Sequence, residues 1–594
     1  MPEIRGTDLV VEYLIREKVQ HLFGYAGHGA VGLLDGVYDR SDELKVIFPR
    51  IESGAGYMAD AYYRASGKVA PVYTSTGPGP MLLTVAMANA FYDSSAFVAM
   101  TGQVATSQLD SGALQEEYRH HQADFPSMAK VISKRSFAAH SVDDLAKFLP
   151  KAFKIAGSGR PGPVHIDVPY DLWVTKADVD VPDPEERSSM LNWRTPGSPE
   201  AVERALDLLL KARRPLILAG GGVLCSDASE QLQAFAEYVN VPVYSTFMGK
   251  GALSARHPLH LGIAGCWGEY PATEAARNAD VILAFGARFS DIHCSSWVPG
   301  YTYNIPPTKL LHVDIDPQEI GRNYPTEIGI VGDAREVLIQ LRGMAEKRGP
   351  KRERSPWHDQ IEGYKSEWTN FIEQEKASSE VPIDPRRVIK ELRAACSDDT
   401  LMITDTGNHQ TWVEQYWDAY EPRSVFTPGG FAGMGFGTYG VLGLKLARPE
   451  RPAVCVTSDG SFMMFPGAVA TATEYGIPAV WVILNNYSIG VIRDLQRFYM
   501  DNREIGTSFV RQSTGELWNP DFAAMAEAMG AGSISVDQPG DLADAFDTAL
   551  NAGTPYVVDV KVNRDTAVPL IGTWQFPPIV QAEPTFGSRT LVTP

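Results

Sequence analysis

The 594-residue chain has no apolar run long enough to cross a bilayer; its hydrophobic stretches are short and broken by Gly, Pro or charge, which excludes a membrane-spanning helix. It is poor in cysteine. The five present (Cys225, Cys266, Cys294, Cys396, Cys455) form no CxxC pair and no metal-finger spacing, so they read as reduced packing residues. Positive charge is also short: 53 Lys and Arg against 72 Asp and Glu leave a net −19, which excludes the electrostatic footprint of a nucleic-acid binder. The opening residues, Met1-Pro2-Glu3-Ile4-Arg5-Gly6, lack the apolar segment of a secretory signal, and a cytoplasmic location is expected.

What is present is a recurring pattern of short apolar runs, glycine turns and helical stretches. At roughly 150 residues per domain the length predicts three or four domains. Strand-like runs at 19–25 and 44–51, at 214–219, 241–244, 280–285 and 310–314, and at 401–405 and 454–457 predict open, mainly parallel α/β sheets. A polar stretch at 182–186 and a charged one at 346–356 mark linkers. The domains expected are 1–182, 195–345 and 375–565, followed by a tail at 566–594.

The most telling stretch is Ser458-Asp459-Gly460-Ser461, which follows the run 454–457 and precedes a second run ending in Asn485-Asn486. A divalent ion carrying a diphosphate needs hard oxygen ligands, and an Asp and an Asn at the carboxyl ends of neighbouring parallel strands supply them. Gly460 lets backbone approach phosphate, and the helix that follows would point its N-terminus at the anion. The plain alternative is an ordinary β-turn-α-β unit. The arrangement resembles the thiamine diphosphate motif, GDG then an interval then NN, with Ser458 in place of the first glycine. That resemblance implies Mg2+ held by Asp459, Asn486 and the carbonyl of Ser488.

Glu52 ends the run 44–51 and opens a small-residue helix, where a lone carboxylate could simply complement the helix N-terminus. The stretch 50–68, with Ser75-Thr76-Gly77-Pro78-Gly79, 101–104 and 162–169, resembles the pyrimidine-binding domain of acetolactate (acetohydroxyacid) synthases. The resemblance gives Glu52 the task of hydrogen-bonding the aminopyrimidine ring, so that the cofactor deprotonates its own thiazolium carbon. Burial suits that task, because it raises a carboxyl pKa by up to about 3 to 5 units. Gln115 stands where the family has a glutamine facing the reaction centre, although Leu114 replaces the preceding Phe; a surface helix is the alternative. His28, in the substrate-facing loop 24–29 with Tyr25, either shuttles protons near neutral pH or caps loop backbone.

In the middle third, Gly220-Gly221-Gly222 follows a strand and could cradle a nucleotide. The segments 247–252, 286–291 (with Arg288) and 313–317 resemble the FAD-contacting segments of acetolactate synthases. FAD is therefore expected; ADP, coenzyme A or no ligand is found in the same domain of related enzymes. The family's GxRFDDR ends in an arginine that helps hold the carboxylate of the second oxo acid, and here that position is Ile292. A charge-assisted clamp of this kind is worth roughly 1.5 to 3 kcal/mol.

In the last third, Gly407-Asn408-His409-Gln410 resembles the family's GxHQ beside the diphosphate. The stretch 429–437 resembles GGLGTMGFG, which brings Ala432 to the cofactor and makes Met434 the apolar wedge under a bent thiamine. Ile492 and Arg493 line the expected substrate wall; Arg493 either receives an anionic substrate or pairs with Asp494 or Asp501. The tail, with Gly572-Thr573-Trp574-Gln575-Phe576-Pro577-Pro578, is too Pro-rich for a further sheet unit. It forms a lid over the active site or is disordered, and its Trp and Phe favour docking.

The resemblance runs in order over about residues 4 to 565. It implies a thiamine diphosphate-dependent C–C lyase or carboligase, with cofactor sites between the first domain of one subunit and the third of another, in a homodimer or homotetramer. Three substrate readings stand: a 2-oxo acid carboligase that is not a strict acetolactate synthase, a 2-hydroxyacyl-CoA lyase, or a cyclic 1,2-diketone hydrolase. A degenerate homologue serving as a scaffold is the non-enzyme reading; retention of Glu52, Asp459 and Asn486 argues against it.

Overall fold

The computed structural model describes residues 3–117, 124–184, 194–349, 353–577 and 580–587. Three six-stranded sheets follow one another along the chain, and every pairing within them is parallel. In the first sheet the order is Lys45–Ile47, His21–Gly24, Ala70–Thr74, Phe97–Gln103, Val164–Pro169, Arg135–Ala138. Numbered within the sheet this is 2-1-3-4-6-5. The third sheet, from Leu401–Thr404 to Tyr556–Lys561, has the same 2-1-3-4-6-5 order, as expected of two related units. The central sheet, from Pro215–Ala219 to Ile328–Val331, runs 3-2-1-4-5-6, the order of doubly wound dinucleotide-binding sheets.

Two segments depart from the sequence reading. The charged stretch after residue 346 is not an open linker: a helix runs to Arg348, and a 20-residue helix, Pro356–Glu375, follows. Its buried Trp357 donates to the Pro215 carbonyl, and Trp368 is also buried, so a predominantly polar helix is anchored by two large rings. Residues 350–352 of that stretch, like 185–186 of the other linker, lie outside the described residues. The tail does form strands, Trp574–Phe576 paired antiparallel with Val580–Ala582. Proline excludes only the interior of a sheet, and an isolated hairpin keeps Pro577 at its turn. Trp574 packs on Trp267 of the central domain, so the tail is docked there. Among the described residues no helix is long and apolar enough to cross a membrane.

The first and third domains meet along two helices, Glu52–Ser66 and Phe436–Ala447. The first ends where Gly67 turns left-handed at φ 71°, and most of its length is buried because Gly54, Ala55, Gly56, Ala59 and Ala61 present little bulk. Gly443 permits the closest approach: a Cβ there would stand 2.1 Å from the Met58 carbonyl oxygen.

A buried charge cluster fixes the same junction. Arg64 bonds Asp60 at 2.6 Å and Asp93 at 3.2 Å, and donates to the Thr427 carbonyl at 2.8 Å. Asp93 in turn accepts the backbone N–H of Gly429 at 2.7 Å and of Gly430 at 2.9 Å, while Arg288 of the central domain approaches it at 3.5 Å. One carboxylate thus ties all three domains together. Asp93→Asn should cost about 3 kcal/mol, because it removes one of the two buried carboxylates that compensate Arg64. The urea midpoint should fall and amide exchange at Gly429 and Gly430 should quicken; a variant as stable as the parent would remove Asp93 from this role.

Candidate active site

The loop 75–79, at the carboxyl end of strand Ala70–Thr74, organises one half of the site. On one side Glu52 is 8% exposed, with Oε1 3.3 Å from the position a Gly79 Cβ would take. Burial raises its pKa, the direction a shared proton requires. On the other side Thr76 Oγ1 donates to Gln115 Oε1 at 3.0 Å and lies 3.1 Å from His28 Nε2. His28 and Gln115 are exposed, so both sequence-derived candidates face solvent across one buried hydroxyl. Gly77 and Gln115 both take positive φ, and a Cβ on Gly77 would meet the Gln115 Cβ at 2.8 Å, so the loop closes tightly. Tyr25 stacks on Phe48 at 4.6 Å and is half-buried beside this loop.

The other half lies at the carboxyl ends of strands Ala453–Ser458 and Val480–Asn485. Asp459 is the first residue of its helix and Ser458 caps it, accepting the Ser461 N–H at 3.2 Å. A serine there therefore supplies a cap that glycine lacks. Asn486 Oδ1 accepts the backbone N–H and the hydroxyl of Ser488, both at 3.0 Å. Asn408 and Asn486 are neighbours: a Cβ on Gly490 would meet the two side-chain nitrogens at 2.8 and 3.0 Å. Ser461 Oγ donates to the Thr406 carbonyl, and a Cβ on Gly407 would stand 2.9 Å from the His409 ring.

Several polar atoms here suit an anionic cofactor and its cation. Asp459 is fully buried, and burial pushes its carboxyl up to about 7 although the Asn519 amide bonds it. Among the described residues no cation pairs with it, as expected of a carboxylate that holds a metal ion. Both ring nitrogens of His409 and the Thr406 hydroxyl are buried without a partner among the described residues. Burial lowers His409 to about 3, leaving a neutral ring able to donate to phosphate. No cluster of three His, Cys, Asp or Glu exists among the described residues, so this donor set is one carboxylate with amide and carbonyl oxygens.

A cavity of about 760 Å3 runs from Gly221 and Gly222 of the central sheet past Arg288 and Ile292 to Gln410, Glu414 and Ala432 of the third domain. It opens at the switch point of the central sheet, between strands Pro215–Ala219 and Val281–Phe285. Gly220 sits behind its wall, where a Cβ would strike the Gly286 carbonyl at 2.1 Å. Cys225 is exposed at the cavity, unlike the other four cysteines, because its five-residue helix lies against open space. Met434 is joined to the Glu52 helix through Tyr57, whose hydroxyl donates to its carbonyl at 3.3 Å.

The family models match the three sheets in order. "Thiamine pyrophosphate enzyme, N-terminal TPP binding domain" covers residues 4–124, the central domain of the same enzymes covers 202–341, and their C-terminal TPP binding domain covers 405–560. The chain belongs to the thiamine pyrophosphate enzyme family. Thiamine pyrophosphate is thiamine diphosphate under another name. The chain is 34% identical over 583 residues to a probable acetolactate synthase large subunit of Methanococcus aeolicus, spanning 96% of this chain and 94% of the relative. It is 34% identical to the acetolactate synthase isozyme 3 large subunit of Escherichia coli, spanning 93% of each. It is 32% identical to the acetolactate synthase large subunit of Corynebacterium glutamicum, over 95% of this chain and 87% of that one. The protein is a thiamine diphosphate-dependent carboligase or lyase.

Within this enzyme Arg493 does not pair with Asp494 or Asp501 as the sequence suggested. It is buried, bonds Glu504 at 3.1 Å and Asp565 at 2.9 Å, and donates to the Arg564 carbonyl. The partners lie in the loop after its helix and at the start of the tail, too far along the chain for spacing to show. Asp494 instead accepts the Asn408 amide at 2.8 Å. Ile492 is 45% exposed.

Sequence reasoning missed Asn519, whose amide donates to Asp459 Oδ2 at 2.7 Å and to Asn485 Oδ1 at 2.9 Å, joining the two strand ends. It also missed Glu117, two residues beyond Gln115. Glu117 is fully buried; burial, then the charge of Asp167, pushes it up to about 10. The unfolded chain loses this proton above the ordinary 4.5. Between those values the folded enzyme holds one more proton, so stability falls as pH rises, by up to about 1.4 kcal/mol per unit. Glu117→Gln should therefore gain stability over the parent from pH 6 to pH 8 in urea titrations, and parallel curves would refute the burial of a protonated acid there.

Proposed function

We propose that the protein is a Mg2+- and thiamine diphosphate-dependent carboligase that takes a 2-oxo acid as donor and joins the retained fragment to an acceptor other than a second oxo acid. The donor follows the names of its relatives, acetolactate synthases along nearly the whole chain. The acceptor rests on one observation, an apolar side chain at the clamp position itself. Ile292 lines the cavity where the clamp arginine would stand, and the guanidinium of Arg493 is occupied by Glu504 and Asp565.

Bound thiamine diphosphate would supply a thiazolium carbon that adds to a carbonyl and an electron sink for the C–C bond that breaks. The protein's part is orientation and proton transfer. Asp459, Asn486 and the Ser488 carbonyl would hold Mg2+, and Ser461, Asn408 and His409 would hold the diphosphate. Glu52 would hydrogen-bond the aminopyrimidine ring, and its raised pKa suits a shared proton there. Gln115 and His28, coupled through Thr76, face the acceptor and move or hold a proton at its carbonyl oxygen.

FAD is proposed for the central cavity, whose volume and switch-point position suit a dinucleotide. A second subunit is proposed to complete each site. Apolar side chains stand exposed on the helix after loop 75–79 (Leu82, Val85) and beside Asp459 (Met463, Met464), as for faces awaiting a copy of the chain.

Glu52→Gln should lower turnover of pyruvate by at least about a hundredfold, the usual scale for losing a proton-transfer group, with diphosphate binding retained; near-normal turnover would defeat the assignment. Mixing Glu52→Gln with Asp459→Asn subunits should restore roughly a quarter of parental activity if sites are shared across a twofold. Products from pyruvate with a short aldehyde, a 2-hydroxyacyl-CoA and cyclohexane-1,2-dione, read by mass spectrometry, separate ligation from CoA lysis and ring hydrolysis. Acetolactate as the sole product would overturn the acceptor proposed. The visible flavin band of the purified protein reports on FAD.

A further inference from the structure

The third-domain end of the cavity contains an acidic corner for which the mechanism above has no use. Glu414 lies on the helix Asn408–Tyr416, is 3% exposed, and lines the cavity with its Oε1 buried and without a hydrogen-bond partner among the described residues. His293 Nε2 stands 3.5 Å from that oxygen. That nitrogen already accepts the backbone N–H of Phe247 at 3.3 Å, and the opposite ring nitrogen lies 3.2 Å from the Ser290 hydroxyl. In the tautomer that accepts from Phe247, Nε2 cannot donate to Glu414. In that tautomer two acceptors face one another across the cavity wall, with no donor between them among the described residues.

Lys250 does not neutralise the corner: its ammonium bonds the Glu414 backbone carbonyl at 2.8 Å and reaches the carboxylate of Glu269, not that of Glu414. A buried acceptor left unpaired costs about 1 to 3 kcal/mol, more when charged, so such atoms are commonly held for a ligand. Ile292 precedes His293 in the chain and lines the same wall. The corner thus combines an unsatisfied carboxylate with an apolar neighbour.

We propose that Glu414 and His293 form a subsite that accepts a hydrogen-bond donor, an O–H or N–H, from the ligand reaching this end of the cavity, and that turns carboxylates away. The donor comes from an acceptor substrate bearing a hydroxyl or from the N–H and hydroxyl groups of a bound flavin dinucleotide. This rests on the proposed carboligase reading for the first source alone. An anionic acceptor would meet acceptor atoms and like charge here, whereas a neutral hydroxyaldehyde would satisfy Glu414.

The test uses full-length enzyme loaded with Mg2+ and the inert analogue thiamine thiazolone diphosphate, so that binding is read without turnover. Glycolaldehyde and 2-oxobutanoate are titrated by ligand-observed NMR, and FAD by fluorescence, for the parent, Glu414→Gln and Ile292→Arg. Glu414→Gln should raise the dissociation constant of glycolaldehyde or of FAD about tenfold, the scale of one charge-assisted hydrogen bond. Whichever ligand responds identifies the source. Ile292→Arg should bind 2-oxobutanoate at least about tenfold more tightly than the parent, by restoring a cation. Unchanged constants for glycolaldehyde and FAD in folded Glu414→Gln, or tight 2-oxobutanoate binding by the parent, would overturn the inference. Carbon dioxide release from pyruvate by the normally loaded parent tests the carboligase reading separately.

Discussion

The structure depends on a buried carboxylate placed where three domains converge. Asp93 holds Arg64 of its own domain, the Gly429 and Gly430 amides of the third, and the approach of Arg288 from the central one. Opposite charges in a low-dielectric interior fix geometry strongly, since a lost partner leaves an uncompensated charge. The glycine stretch it grips leads directly to Ala432 and Met434, so the placement of that loop is set by a residue of a different domain. Alignment of the sheets and shape of the site are consequently one problem.

Around that joint the enzyme separates two kinds of polar atom. Structural ones are saturated: Asp405, for example, accepts from Gly435, Thr438 and Thr406. Others are buried and unmatched among the described residues, and they include the His409 ring, the Thr406 hydroxyl and Glu414 Oε1 at the site as well as atoms elsewhere, such as the Tyr73 hydroxyl and Trp368 Nε1. Unmatched groups of this kind are rare in folded interiors and cluster where a ligand supplies the missing partner.

Local chemistry was legible in the sequence. The Ser458-Asp459-Gly460-Ser461 turn, the Asn485-Asn486 strand end and Glu52 at a helix start each carry their own signal, because glycine turns and caps are decided within a few residues. The three parallel sheets followed from apolar runs alternating with glycine turns. Long-range pairings were not legible. Asn519 meets Asp459 across 60 positions, Arg493 meets Asp565 across 72, and Asp93 meets Gly429 across 336. Spacing rules cannot reveal such partners, and they led Arg493 to be matched with nearby Asp494 and Asp501 instead. The helix Pro356–Glu375 escaped notice because its polar surface hides the two tryptophans that anchor it. The hairpin at Trp574 escaped because proline argues against strands only where a ladder continues on both sides.

The third domain enters and leaves through one doorway. Ile383, at its start, donates its N–H to the Lys561 carbonyl and accepts the N–H of Asn563, at its end. The preceding helix and the departing tail then meet again on the central domain, where Trp368, Phe371 and Phe586 gather beside Tyr270. The third domain's first and last stretches of backbone are thus pinned side by side, so its two ends cannot part without breaking this pair of bonds.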